Sequence, residues 1–222
     1  MKNELRLPSH DRTVTFLEVT VQDALDLAGF HTNFEEKAAN WWLTTLQDGE
    51  VLPAEEWSQE DRIVGLIYLF FLTQDNVERQ VSYNCKHCGN EHQFIADYGV
   101  LAKQELKTFD EWPTAKLKTG NYKMQPLTGA HLAEIEILRM QDPKPTEDQI
   151  RLQVIARRLR IDAEELTKLP LKKYAAVLRE AEEKLEDLRH GIDLGTTHVC
   201  PEEGLESQIA LPFRTVDFLP RI

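Results

Sequence analysis

The sequence predicts an α+β protein of two related halves, a pseudo-duplicated two-lobed fold with short antiparallel strands, helical inserts and a degenerate zinc-ribbon-like clasp. Three observations predict it. The hydrophobic period switches repeatedly between strand-like alternation and helical spacing. A strand-turn-strand-helix pattern near the start returns about a hundred residues later. The three cysteines fall in two turns, Cys85-Lys86-His87-Cys88 and the region of Cys200.

The first element is a hairpin. Leu5 and Leu7 lead into a Pro8-Ser9-His10-Asp11 turn, and Val14, Phe16 and Val19 continue the alternation. Thr20 and Asp23 then form a capping-box pattern, with Ala24, Leu25, Leu27 and Ala28 at helical spacing. An aromatic helix is expected over 34–46, carrying Trp41 and Trp42 and ending near Gly49. Ser58 caps a third helix to about Thr73. Strand-like spacing returns at Val81 and Tyr83, passes through Cys85-x-x-Cys88-Gly89-Asn90, and resumes at Gln93-Phe94-Ile95. Two short strands joined by such a turn make half of a zinc ribbon. Residues 97–112 read as a connector.

The second half repeats the first. A shift of 108 places Tyr122 on Val14, Met124 on Phe16, Leu127 on Val19 and Thr128 on Thr20, followed by a helix with Leu132, Ile135, Ile137 and Leu138. A shift of 115 places Cys200 on Cys85, Glu203 on Cys88, Gly204 on Gly89 and Gln208-Ile209 on Gln93-Phe94. Between these ends, Thr146 and Gln149 cap a helix through Leu159, Asp162 caps a short turn through Leu169, and Pro170 opens a helix from Leu171 to His190, closed by Gly191. The expected lobes are residues 1–112 and 113–222.

Composition limits the function. A hydrophobic content of 41% with four tryptophans and nine phenylalanines can fill a core. The opening MKNELRLPSHD carries no apolar stretch, which predicts a chain without an export signal. The longest apolar run, Ile63 to Leu72, is ten residues, about half of what a membrane helix needs. The net charge of -12 is uneven: residues 1–110 carry nine Lys/Arg against nineteen Asp/Glu, and the remainder seventeen against nineteen. Such a surface repels phosphate backbones and anionic lipid, so neither nucleic acid nor membrane is the expected partner. A zinc-ribbon adaptor for nucleic acid or a transcription complex is the alternative, and it would need a patch built from Arg157, Arg158, Arg160, Lys172 and Lys173.

An odd number of cysteines, two of them in a CxxC turn, argues against a disulfide scaffold and for thiolates held by metal or left reduced. A tetrahedral zinc takes four donors, of which Cys85, Cys88 and Cys200 supply three. His198 or Glu203 could complete the set, or the thiols could pack or pair without metal. His87 and His92 read as exposed residues of the turn, although either could donate. A zinc here would be structural, since CKHCGNEH matches neither HExxH nor a deaminase pattern.

No nucleotide-binding glycine loop, nucleophile elbow or paired-carboxylate arrangement occurs, so the chain is expected not to be an enzyme. Isolated histidines such as His31, His131 and His190 read as surface or helix-end residues, and the tryptophans as core. The C-terminal stretch with Phe213, Phe218 and Leu219 either closes the core or binds a partner.

The ordered set LxLPS and TxxFxxxT near the start, YxCxxCGxxH in the middle, Pro126-Leu127-Thr128, Cys200-Pro201, Leu211-Pro212-Phe213 and Phe218-Leu219-Pro220 resembles the baseplate hub assembly proteins of T-even-type contractile-tailed bacteriophages. The resemblance spans nearly the whole chain. It implies a protein made in the infected host cytoplasm that helps build the hub or inner baseplate, as a chaperone or as a component of the virion, through contacts with hub proteins. The family's first cysteine pair falls on Cys85 and Cys88 and its second on Cys200 and Glu203, so Glu203 departs from four-cysteine ligation. No active site is implied.

Overall fold

A computed structural model describes residues 3–9, 11–30, 33–74 and 76–220; His10 of the expected turn and His31 lie outside them. The chain is a mixed α+β fold. Strand β1 (Asn3–Leu7) pairs antiparallel with β2 (Arg12–Phe16), which turns Leu5, Leu7, Val14 and Phe16 to one buried face. Helix α1 (Val21–Ala28) starts at Thr20, whose hydroxyl accepts the Asp23 N–H while the Asp23 carboxylate accepts the Thr20 N–H. Helix α2 (Glu35–Thr45) buries Trp42 and Leu43, and the two-residue β3 (Gln47–Asp48) then adds to β2. Ser58 caps α3 (Gln59–Thr73), whose apolar run is sunk into the core; β4 (Glu78–Asn84) and β5 (Glu91–Asp97) form the CxxC hairpin.

The second half opens with β6 (Ala115–Lys116) and β7 (Lys123–Met124), then α4 (Gly129–Arg139), α5 (Glu147–Leu159) and α6 (Ala163–Thr167). The single helix expected from Leu171 to His190 is instead α7 (Leu171–Glu183) and α8 (Leu185–Leu188). The break at Lys184 lets α8 sink Leu188 into the second core and bring His190 against α3. Strands β8 (Gly195–Val199) and β9 (Glu206–Ala210) form the last hairpin, and a tight turn at Thr215–Phe218 follows.

The matched ends share local geometry. Thr20 and Thr128 are both capping-box residues, with φ/ψ of -101/164 and -103/168. The shift of 108 holds for the second strand and the cap but not for the first strand. Leu5 pairs with Val14, whereas Leu117 donates its N–H to Tyr122, so the first strand of the second hairpin is displaced by four residues in register.

Apolar packing does not divide between residues 112 and 113. One core gathers the first-half hairpin and helices together with Leu211, Phe218, Ile192 and Leu194 from the chain's end. A second gathers Ala115, Leu117 and Met124 with α5 through α8, and a smaller third gathers Leu127, Ile135 and Ile150 between α4 and α5. The last hairpin and tail thus return to the first core. This return carries Cys200 back to the CxxC turn.

Buried polar groups tie the second half to α2 and α3 and brace α3 against the first hairpin. Ser58 Oγ lies 2.7 Å from His190 Nε2, and His190 Nδ1 lies 2.6 Å from the Leu188 carbonyl. A proton on Nδ1 satisfies both contacts, because Nε2 is then left to accept from the Ser58 hydroxyl. Asp61 accepts from the N–H of Ser9 at 2.9 Å and from the Ser9 hydroxyl. Asn40 Nδ2 donates to the Gly129 carbonyl at 3.0 Å, where a Cβ on Gly129 would lie 2.3 Å from the Ala54 carbonyl oxygen.

Candidate metal centre

The CxxC turn is closed by its own backbone. Cys85 donates its N–H to the Asn90 carbonyl at 2.9 Å, and Gly89, at φ +77, donates to the Cys85 carbonyl at 3.0 Å. The left-handed conformation at Gly89 strongly favours a residue without Cβ. The His87 N–H faces the Cys85 sulfur at 3.4 Å, the arrangement that stabilises a thiolate. The second turn repeats this geometry: Cys200 donates to Leu205 at 2.8 Å, and Gly204, at φ +69, donates to Cys200 at 2.9 Å.

These two turns face each other. Asn90 Nδ2 donates to the Glu202 carboxylate at 2.9 Å, and His87 Nε2 meets the Glu206 carbonyl at 3.1 Å. Between them, donor atoms of Cys85, Cys88, His92 and Cys200 all lie within 4.8 Å of one another. Ligands around a tetrahedral zinc at ~2.0–2.3 Å sit about 3.5–3.8 Å apart, so small side-chain adjustments suffice to seat an ion. Cys85 and Cys200 are buried and Cys88 and His92 half-buried. This is a candidate metal-binding cluster.

The fourth residue of the candidate cluster is neither His198 nor Glu203. His198, on β8, stacks on Phe94 with ring centroids 4.8 Å apart and meets Tyr83 edge-on, so it belongs to the layer between the two hairpins. Glu203 occupies the second-turn position that matches Cys88, but it is exposed. Among the described residues neither joins the donor group. His92, directly across from Tyr83 in the β4–β5 ladder, joins it, with Nε2 3.0 Å from Cys88 Sγ. Strand alternation carried the signal, because residues 92, 94 and 96 share the inner face of β5.

The electrostatics suit cation binding. The Cys85 thiol is lowered to about 7, first by the Cys88 backbone N–H and further by the His87 N–H and the neighbouring sulfurs, against the cost of burial. The Cys88 thiol is pushed up to about 11: the Asn90 N–H favours its thiolate, but burial and the sulfurs of Cys200 and Cys85 outweigh it. The Cys88 thiol thus holds its proton against crowded sulfurs, and a cation would displace it. Burial and then the three sulfurs raise the Tyr83 phenol, whose oxygen is buried without a hydrogen-bond partner.

The remaining expected residues lie elsewhere. Phe218 is buried against Phe70 and Tyr98 and stacks on Phe213 at 4.4 Å, and Leu219 packs on the same core. These three residues pack on the chain's own core, Phe218 buried and Phe213 and Leu219 half-buried. Arg158 is buried and Arg157 is paired with Glu134 at 2.9 Å, so two of the five residues such a basic face would need are withdrawn from it. The Ser58–His190 contact has the composition of a nucleophile–base pair. However, Ser58 is fully buried and its oxygen also accepts the Asp61 N–H as a helix cap. His190 is missed by sequence because only the break after α7 turns it inward.

No family model, curated protein or solved structure matches this chain. Among the described residues, no helix is long and apolar enough to cross a membrane.

Proposed function

We propose that Cys85, Cys88, His92 and Cys200 hold a structural zinc, and that the ion clasps the two hairpins of a duplicated, two-lobed, zinc-ribbon-like fold. The observation that carries this reading is the convergence of four protein donors from both turns and β5 within 4.8 Å. Four protein ligands leave no position for water or substrate, which favours a structural over a catalytic ion. Zinc binding of roughly 10 kcal/mol in small modules would far exceed what the exposed outer faces of these hairpins contribute.

On this clasp rests the second part of the reading. The chain acts as an assembly or structural protein of a contractile phage tail baseplate, made in the host cytoplasm and working through contacts with hub or inner baseplate proteins. Support comes from the ordered motifs of the sequence, including the YxCxxCGxxH segment, which contains three of the four donors. The burial of Arg158, the pairing of Arg157 and the net charge of -12 disfavour the nucleic-acid adaptor. Mass spectrometry of purified particles, beside pull-downs from infected cells with the zinc-loaded chain, tests the role. Fixed copy number in particles indicates a component, and capture of hub proteins without retention indicates a chaperone. Neither result in either experiment would sink the baseplate reading while leaving the metal site standing.

A further inference from the structure

The two hairpins that carry the donor atoms meet through a layer of rings. Tyr83 of β4 stands directly across from His92 in the β4–β5 ladder. Its ring centroid lies 5.8 Å from that of His92, 6.0 Å from Phe94 and 5.2 Å from His198 of β8, so neighbours from both hairpins hold it. One of these neighbours, His92, is itself a donor of the candidate cluster.

Packing leaves the hydroxyl of this ring unsatisfied. The Tyr83 oxygen is closed off from solvent, and among the described residues no hydrogen bond reaches it. A hydroxyl so placed destabilises the fold until an acceptor is supplied. Strand register puts a sulfur on the same face. The ladder continues one pair past β4, where Cys85 donates its N–H to the Asn90 carbonyl, so Tyr83 and Cys85, two residues apart, both point inward. After burial, the sulfurs are what raise the Tyr83 phenol, Cys85 first among them. A neutral thiol accepts a hydrogen bond weakly, whereas a metal-bound thiolate is an anionic acceptor. Binding an ion therefore supplies what the hydroxyl lacks.

We propose that Tyr83 is a positioning residue of the metal centre, its hydroxyl donating to the Cys85 sulfur when the ion is bound. The inference rests on the metal reading and deepens it. The bond steadies the sulfur and draws off part of its charge, while the ring packs beside the His92 imidazole. One side chain thus braces donors from both strands of the first hairpin. Ser207 is the rival partner for this hydroxyl. It is buried, its oxygen also lacks a partner, and it stands opposite His198 on the second hairpin. A contact between the two hydroxyls would need no metal.

Tyr83→Phe in the full chain keeps the ring and removes only the hydroxyl. Zinc affinity, read by chelator competition, should fall about tenfold. With cobalt in place of zinc, the sulfur-to-metal charge-transfer band should move to longer wavelength, because a sulfur relieved of its hydrogen bond gives up electrons more readily. The metal-free variant should lose no stability in urea, since the change deletes an unsatisfied buried group. Ser207→Ala should leave affinity within about twofold and the band in place. An unchanged affinity and band in Tyr83→Phe, or an equal band shift in Ser207→Ala, would overturn the inference and leave the metal site standing. So would an equal loss of stability in the metal-free and zinc-loaded Tyr83→Phe chains, because the hydroxyl would then be bonded without the ion. Failure of the unsubstituted chain to bind either metal would overturn both readings together.

Discussion

Cys85 and Cys200 hold the same place in two turns 115 residues apart, each donating its N–H five residues ahead and receiving the N–H of a left-handed glycine four residues ahead. Only the first turn keeps a second sulfur, at Cys88. The second turn has the exposed Glu203 there, and the fourth donor atom of the candidate cluster belongs to His92 on the neighbouring strand. The site is therefore asymmetric, with three donors from the first hairpin and one from the second.

That asymmetry separates two histidines. His92→Ala removes a donor and should lower zinc affinity by far more than tenfold, whereas His198→Ala should retain one zinc per chain and lose about 0.5–1.5 kcal/mol of stability with its ring contacts. Competition with a chromophoric chelator and urea unfolding of both variants read the two effects. Zinc lost from His198→Ala but kept by His92→Ala would reverse the assignment.

The buried bond between Ser58 and His190 joins α3 to the end of the second helical segment across 2.7 Å. Ser58→Ala removes both a helix cap and the proton that His190 Nε2 accepts, so a loss on the order of 2–3 kcal/mol is expected in denaturant unfolding. A change under ~0.5 kcal/mol would mean the contact contributes nothing net.

Glu60 gives a pH dependence with a definite sign. Burial is the main cause that raises its carboxyl above 4.5, partly opposed by a backbone hydrogen bond and by Arg158. The folded state therefore holds this proton more tightly than the unfolded chain, and the associated stability is full below 4.5 and lost as pH rises through the folded value. Glu136, also raised mainly by burial, acts in the same direction. Glu60→Gln should flatten the fall of stability with rising pH above 4.5, as seen in thermal unfolding across that range. An unchanged slope would place the titration elsewhere.

Two glycines should respond differently to alanine. A Cβ on Gly129 would meet the Ala54 carbonyl oxygen at 2.3 Å and Asn40 Oδ1 at 2.4 Å, both within the junction between the cores. Gly89 has open space around it but sits at φ +77. Gly129→Ala should cost on the order of 3 kcal/mol or more by overpacking, and Gly89→Ala about 1–2 kcal/mol from conformation alone. Comparable midpoints in urea would contradict the close approach at Gly129.

The local elements were legible in the sequence because their signals are local. Thr20, Ser58, Thr128 and Thr146 each cap the helix expected of them, and the period of two at Val81, Tyr83 and Phe94 marks a real hairpin. Three thiols brought together could also be read, since the two turns share their pattern. The choice of His92 over His198 rested on a weaker signal, the alternation along β5, and the fate of the tail could not be read, because it depends on tertiary packing. His198 lies two residues from Cys200 in sequence, but its strand turns the ring onto Phe94. Phe213 and Phe218 looked suited to an external partner because nothing in sequence distinguishes an aromatic tail that folds back onto α3 from one that binds another chain.

The most direct test of the clasp is zinc K-edge X-ray absorption on the chain purified without chelator, together with its zinc content. About one zinc per chain, with three sulfurs near 2.3 Å and one nitrogen near 2.0 Å, is the expected result. Less than about 0.2 zinc per metal-replete chain, or a bound ion whose shell contains only oxygen and nitrogen, would contradict it.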